Sequence, residues 1–113
     1  DSGKARQALL ALDLADGRVS NPRVLYDCGT ARGIDGMTVT ADGRIVAAAG
    51  SGASAGVYVF KPDGTLVAVI PVPESPANVE FGGSDRTTLY VAAGTGLYRI
   101  ATTMTGYHVW PPK

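Results

Sequence analysis

The stretch that decides the fold of this chain is Met37-Thr38-Val39-Thr40-Ala41-Asp42-Gly43-Arg44-Ile45-Val46-Ala47-Ala48-Ala49. Apolar and polar residues alternate before Asp42, which is typical of a half-buried strand. Asp42-Gly43 is a turn signal, and the wholly apolar run after it favours a strand that is covered on both faces. A strand, a turn and a buried strand in such close succession predict an antiparallel hairpin within a β-rich domain.

Hairpins of the same kind are predicted on both sides of this stretch. Asp16-Gly17 lies between two strand-like runs, and so does Asp63-Gly64. At all three Asp-Gly pairs, we expect both residues to supply the positive φ angles of a tight hairpin turn. No segment shows a sustained apolar period of 3.6 residues, so the chain is predicted to be all-β.

Two pieces of sequence recur at intervals of about forty residues. Residues 47–50 match 91–94 at an offset of 44, and residues 56–60 match 96–100 at an offset of 40. Periods in the forties with four short strands per unit are typical of β-propeller blades. We therefore predict that residues 1–113 are part of one β-propeller and hold about two and a half blades: an outer hairpin at 8–28, a complete blade at 36–71, and a final blade and tail at 78–113.

Such a partial propeller is expected to leave two apolar faces open. Each blade buries its faces only against neighbouring blades, and closed propellers have at least about four blades. The expected partners are therefore the remaining blades, supplied by the same precursor, by another chain or by a second copy of this chain.

Composition narrows the classes of function. The chain has 113 residues, 45% of them hydrophobic, with 10 basic and 10 acidic side chains. This balance favours a soluble globular protein and indicates neither nucleic acid nor an anionic membrane as partner. No apolar run approaches the roughly 20 residues of a membrane helix. Cys28 is the only cysteine, matches no zinc spacing, and is expected to be a small buried hydrophobe.

The fourth Asp-Gly pair, Asp35-Gly36, differs from the others because no strand-like run leads into it. We interpret it as the entrance of a strand, with the alternation beginning at Met37. An acid there can project into the space that strand ends surround, where binding sites on β scaffolds tend to lie. Local sequence leaves a second interpretation open, in which Asp35 only accepts hydrogen bonds from nearby backbone N–H groups.

A series of short motifs resembles the C-terminal half of the regucalcin/gluconolactonase (SMP-30-like) family in order and spacing. The motifs are Ile34-Asp35-Gly36-Met37-Thr38-Val39, Pro62-Asp63-Gly64, Asn78-Val79-Glu80-Phe81-Gly82-Gly83 and Thr88-Leu89-Tyr90-Val91. The resemblance covers nearly the whole chain as far as Gly106. The chain departs from the family pattern at Ile34, where the usual motif has proline.

The resemblance implies a six-bladed propeller with one divalent metal, calcium or zinc, at the mouth of the central channel. It also implies hydrolysis of sugar lactones. Of the family's metal ligands, only the Asp of the Asp-Gly-Met motif falls within this sequence, and it matches Asp35. Asp35 is therefore the expected metal ligand and a possible general base, and the expected substrate is a small-molecule lactone. The alternative is a non-catalytic propeller fragment that serves binding or assembly, and other enzymes share this architecture.

Asn78 is the second candidate site residue. It lies one residue past the position that repeats Asp35, which makes it a candidate to line the channel mouth and contact substrate, but backbone capping after Pro76 is the interpretation that the local sequence favours. Four further polar residues are expected to be structural or surface groups, although the two arginines could meet a substrate: Arg32, Glu80, Arg99 and His108.

Overall fold

Antiparallel β-strands make up most of the structure, a computed structural model that describes residues 7–29 and 33–106. The strands are β1 (Gln7–Ala15), β2 (Arg18–Gly29), β3 (Ile34–Val39), β4 (Ile45–Ala49), β5 (Gly56–Phe60), β6 (Leu66–Pro71), β7 (Pro76–Gly82), β8 (Thr88–Ala93) and β9 (Gly96–Ala101). Within these ranges, the prediction of an all-β chain is confirmed. The described residues contain no helix that is long and apolar enough to cross a lipid bilayer.

The strands form three sheets that follow one another along the chain. The first sheet is the hairpin β1-β2, the second has the order β3-β4-β5-β6, and the third has the order β7-β8-β9. Each strand pairs antiparallel with its neighbour in sequence within its sheet. This meander arrangement is that of successive propeller blades.

The second sheet is packed on both faces, as the apolar run at β4 predicts. On one face, Val46 and Val57 join a cluster with Val79 and Leu89 of the third sheet. On the other face, Phe60 and Ala47 pack with Leu9 of the first sheet. The last four residues of β4 are all buried, which confirms the prediction of a strand covered on both sides.

The sequence repeat corresponds to equivalent positions in the second and third sheets. Ala49 pairs with Gly56, and Ala93 pairs with Gly96 in the same way. The connection between β4 and β5 spans residues 50–55, whereas only Gly94 and Thr95 join β8 to β9. This difference in loop length is why the offset of the repeat falls from 44 to 40 residues.

The prediction for the Asp-Gly turns is correct at one site and wrong at two. Asp16 and Gly17 have φ angles of 53° and 74°, as a tight two-residue turn requires. At the other two turns only the glycine is left-handed, with φ of 90° at Gly43 and 93° at Gly64.

These two turns are longer than the first, which explains the difference. Gly64 N donates to Lys61 O at 2.9 Å, and Lys61 N donates to Thr65 O at 2.8 Å. A turn of this length needs a left-handed residue only at its last position, where glycine is favoured. The aspartate instead accepts a hydrogen bond, since Thr65 N donates to Asp63 Oδ1 at 2.9 Å.

The turn aspartates predict a loss of stability in acid. The pKa of Asp63 is lowered by the hydrogen bond from the Thr65 backbone, and the pKa of Asp85 by that from the Thr87 side chain. Because the folded-state pKa lies below the unfolded value, this stabilisation is complete at neutral pH and is lost as pH falls below about 4. We expect a lower melting temperature at pH 3 than at pH 6 and a smaller drop in the Asp63→Asn variant; equal drops would exclude Asp63 as a contributor.

The outward face of the first sheet is apolar and open, as expected for a partial propeller. Leu14 is 73% exposed and Val19, its partner across the hairpin, is 67% exposed. Three more aliphatic side chains on these strands are about half exposed or more: Leu10, Leu12 and Val24.

Candidate functional site

Asp35 is an exposed residue near the start of β3, one of the two edge strands of the second sheet. β3 begins at Ile34, so Asp35 is its second residue and lies at the entrance of a strand, as predicted, although the strand starts before the alternation at Met37. Ile34 pairs with Ala49 and Met37 with Ala47, which leaves one extra residue on β3. Such a β-bulge re-aims side chains and is common beside functional sites.

β7, one of the two edge strands of the third sheet, has a bulge at the equivalent place. Pro76 pairs with Ala93 and Asn78 with Ala92, so β7 also carries one extra residue. Asn78 is exposed. Met37 pairs with Ala47 and Val79 with Val91, the residue that repeats Ala47, so Asn78 on β7 corresponds to Gly36 on β3.

The two edge strands touch at these bulges. A Cβ atom placed on Gly36 would lie 2.8 Å from the carbonyl oxygen of Ala77 and 2.9 Å from Asn78 Cα, and it would also collide with Asn78 Oδ1. The Asn78 side chain therefore lies against the residue that follows Asp35. The structure thus brings the two candidate site residues to the same end of neighbouring strands.

This close approach predicts that Gly36 is required for packing of the second sheet against the third. Because two of the colliding atoms belong to the backbone, we expect Gly36→Ala to destabilise the fold by about 1–3 kcal/mol. Urea unfolding of the variant measures this effect. Adding Asn78→Ala removes only the side-chain collision, so it should not restore full stability; a Gly36→Ala variant as stable as the parent would contradict the packing described here.

A carboxylate that the sequence analysis did not single out lies at the same end of the third sheet. The hydroxyl of Tyr98 donates to Glu74 Oε2 at 2.7 Å, and Thr95 N donates to Glu74 Oε1 at 3.4 Å. The hydrogen bond to Glu74 raises the pKa of Tyr98. Glu74 thereby ties the β6–β7 connection to the β8–β9 turn. The sequence held one signal for this contact, which is the repeat of Tyr58 at Tyr98. In the second sheet, the hydroxyl of Tyr58 likewise donates to a neighbouring loop, at Ser54 O.

The other candidate residues do not join this site. Arg99 is exposed on β9, at the far edge of the third sheet from β7. Glu80 is exposed between the buried Val79 and Phe81, as its alternation predicts. Arg32, His108 and the side chain of Cys28 lie outside the described residues.

The side-chain oxygen atoms of Asp35 and Asn78 are of the kind that a hard divalent cation binds, but two side chains are too few to hold one. Calcium takes about six to eight oxygen ligands and zinc about four ligands. Residues 7–29 and 33–106 contain no group of three or more His, Cys, Asp or Glu side chains that could hold a metal ion. On its own, the described part of this chain therefore does not complete such a site.

Comparison with known proteins decides the family. The family described as "SMP-30/Gluconolactonase/LRE-like region" matches residues 1–95. The chain belongs to the SMP-30/gluconolactonase family. The resemblance inferred from the Asp-Gly-Met and Phe-Gly-Gly motifs is thus confirmed. A search of curated proteins found no match.

Solved structures described as gluconolactonases share the fold of this family member. An X-ray structure of a protein provisionally assigned as a gluconolactonase matches with a TM-score of 0.72 and 30% identity, over 90% of this chain and 34% of the other. A gluconolactonase from Xanthomonas campestris matches with a TM-score of 0.66 and 24% identity, over 87% of this chain and 30% of the other. The prediction of a partial β-propeller is confirmed, and the chain spans about a third of the length of these proteins.

Proposed function

We propose that this chain is part of a gluconolactonase-like hydrolase that opens sugar lactones. The observation that carries the proposal is the exposed carboxylate of Asp35, which lies at a bulge at one end of β3 beside Asn78 of β7. Membership of the SMP-30/gluconolactonase family supports the reaction class.

Asp35 would act on the water that attacks the lactone. Water adds to the ring carbonyl, the ester C–O bond breaks, and the ring opens to a hydroxy acid. A carboxylate beside the attacking water can orient it and accept its proton. Asp35 is open to solvent, so water can reach it. The exposed amide of Asn78 offers a donor and an acceptor to the hydroxyl groups of a sugar lactone.

We also propose Asp35 as a ligand of one divalent metal, calcium or zinc. When bound, such an ion would polarise the lactone carbonyl. Because the described residues contain no group of three or more His, Cys, Asp or Glu side chains that could hold the ion, we propose that the remaining blades of the propeller supply the other ligands. Those blades are therefore the expected partner of this chain, whether they come from the same precursor or from another polypeptide.

A non-catalytic role in binding or assembly is the second candidate function. The open aliphatic face of β1 and β2 favours it, because exposed apolar patches mark interaction surfaces. In that case Asp35 is only a strand residue that accepts local hydrogen bonds.

Lactone hydrolysis by the complete propeller separates the two candidates. The rate of acid release from glucono-lactone is measured and corrected for the uncatalysed rate. The measurement is repeated after a chelator has removed bound metal, and again after calcium or zinc has been added back. Catalysis that is lost on chelation and restored by one metal supports the hydrolase. A folded propeller without activity toward sugar lactones, whatever metal is added, supports the second candidate.

A further inference from the structure

Glu74 lies in residues 72–75, the connection that carries the chain from β6 of the second sheet to β7 of the third. At the start of this connection, Val72 N donates to Ala55 O at 3.2 Å and holds it to the β4–β5 loop. Further along, Glu74 holds it to the third sheet, because its carboxylate accepts from the Tyr98 hydroxyl at 2.7 Å. The connection is thus tied to both sheets, and Glu74 ties the end that enters β7.

The Glu74 carboxylate fits closely against the β8–β9 turn. A Cβ atom placed on Gly94 would collide with Glu74 Oε1 and would lie 3.2 Å from Glu74 Cβ. The φ angle of Gly94 is 55°, so a larger residue there would be strained as well as crowded. Thr95 N, the next backbone donor along the turn, lies 3.4 Å from Glu74 Oε1. The turn therefore leaves room for this carboxylate and directs donors at it.

The repeat of the blades shows what is particular to this contact. Tyr98 on β9 repeats Tyr58 on β5, whose hydroxyl donates to Ser54 O of the β4–β5 loop at 2.7 Å. The β8–β9 turn consists only of Gly94 and Thr95, so it has no counterpart of Ser54. The equivalent hydroxyl in the third sheet therefore reaches past its own turn to the chain that enters β7.

The entrance of β7 is weakly held by its own ladder. Pro76 pairs with Ala93 but cannot donate a backbone hydrogen bond, because proline has no N–H. The bulge between Pro76 and Asn78 then leaves one residue out of the ladder. Glu74, two residues before Pro76, supplies an anchor from outside the ladder at the place where the ladder is weakest.

Asn78 lies at the end of this weakly held stretch. Its side chain is exposed, and Asn78 Oδ1 lies where a Cβ atom on Gly36 would be. Asp35 is the residue before Gly36 on β3. A displacement of the β7 entrance would therefore move Asn78 relative to the end of β3 that carries Asp35.

We propose that Glu74 is a positioning residue whose hydrogen bond with Tyr98 fixes the entrance of β7 and thereby holds Asn78 against Gly36, next to Asp35. A hydrogen bond from a phenol to a carboxylate is charge-assisted and about twice as strong as a neutral one, which suits it to this task. The consequence for catalysis rests on the proposed lactone hydrolysis, in which Asn78 contacts the hydroxyl groups of the sugar.

The position of Asn78 is measured by NMR in the complete propeller after a chelator has removed bound metal. An NOE between the Gly36 Hα protons and the Asn78 side-chain amide protons reports their contact directly. We expect this NOE in the parent and its loss in Glu74→Ala and in Tyr98→Phe, each of which removes the hydrogen bond. Glu74→Gln should keep the NOE, because the amide carbonyl still accepts from the Tyr98 hydroxyl.

Tyr58→Phe is the matched control. It removes the equivalent hydroxyl from β5, whose bond to Ser54 O does not involve β7. It should lower the melting temperature about as much as Tyr98→Phe does and leave the NOE unchanged. If Glu74→Ala does not fold, the more conservative Tyr98→Phe tests the same contact. The proposal is overturned if the NOE survives in Tyr98→Phe, or if Tyr58→Phe abolishes it as well.

Kinetics with a sugar lactone extend the test to function. Loss of a hydrogen bond from Asn78 to substrate should raise KM about two- to tenfold in Tyr98→Phe and leave kcat nearly unchanged, with Glu74→Gln close to the parent. An unchanged KM in a variant that has lost the NOE would overturn the role in substrate binding. A parent without lactonase activity would overturn the proposed function, whereas the NOE comparison would still decide whether Glu74 positions Asn78.

Discussion

Replacing Asp35 with asparagine should reduce lactone hydrolysis by the complete propeller at least about 100-fold, because a positioned general base typically contributes a factor of this size or more. Asparagine has nearly the same shape as aspartate but cannot accept the proton of the attacking water. Since Asp35 is exposed, the melting temperature should change little.

The measurement is kcat/KM for a sugar lactone together with thermal unfolding of the same samples. Asp63→Asn is a matched control, because Asp63 is an exposed carboxylate in the β5–β6 turn, at the opposite end of the strands. It should leave kcat/KM unchanged. An Asp35→Asn variant with the activity of the parent would remove Asp35 from the mechanism.

Phe60→Ala should cost about 3–5 kcal/mol of folding free energy, the range for deleting a buried aromatic ring. Phe60 is 1% exposed and packs between the first and second sheets. Its ring centroid lies 4.8 Å from that of Tyr26 on β2. The substitution therefore leaves a cavity where the hairpin joins the complete blade.

Urea unfolding compares this variant with two controls. Phe60→Leu keeps most of the apolar volume and should cost clearly less than Phe60→Ala. Val67→Ala acts at a residue that is 40% exposed and should cost less than about 1 kcal/mol. If Phe60→Ala cost no more than Val67→Ala, the hairpin would not be packed against the blade as described.

The pattern of apolar residues was sufficient to predict the strands and the repeat of blades. The continuous apolar run at β4 reflects burial on both faces, and burial depends on side-chain chemistry that is visible in the sequence. Asp16-Gly17 was also predictable, because a two-residue hairpin requires two left-handed residues.

Features that depend on strand register could not be predicted. The bulge at Asp35 exists only relative to β4, and the closeness of Gly36 to Asn78 depends on how two sheets pack. The bond between Glu74 and Tyr98 joins residues 24 positions apart, for which no spacing rule exists. The loop lengths that distinguish Asp63-Gly64 from Asp16-Gly17 likewise follow from pairing beyond the turn itself.

The candidate site was predictable only in part. Local sequence left two interpretations of Asp35 open, and the family motif favoured a ligand and base. Asn78 was placed near the site because it nearly repeats Asp35, and the structure sets it against Gly36. Among the described residues, no group of three or more His, Cys, Asp or Glu side chains accompanies Asp35 to complete a metal site.

Metal binding to the complete propeller tests the central proposal most directly. Calorimetric titration with calcium and with zinc is compared for the parent and for Asp35→Asn. The account predicts about one tightly bound ion per propeller and a loss of at least about tenfold in affinity when Asp35 is replaced. Equal affinity in the two proteins, or lactone hydrolysis by a parent that binds neither ion, would contradict it.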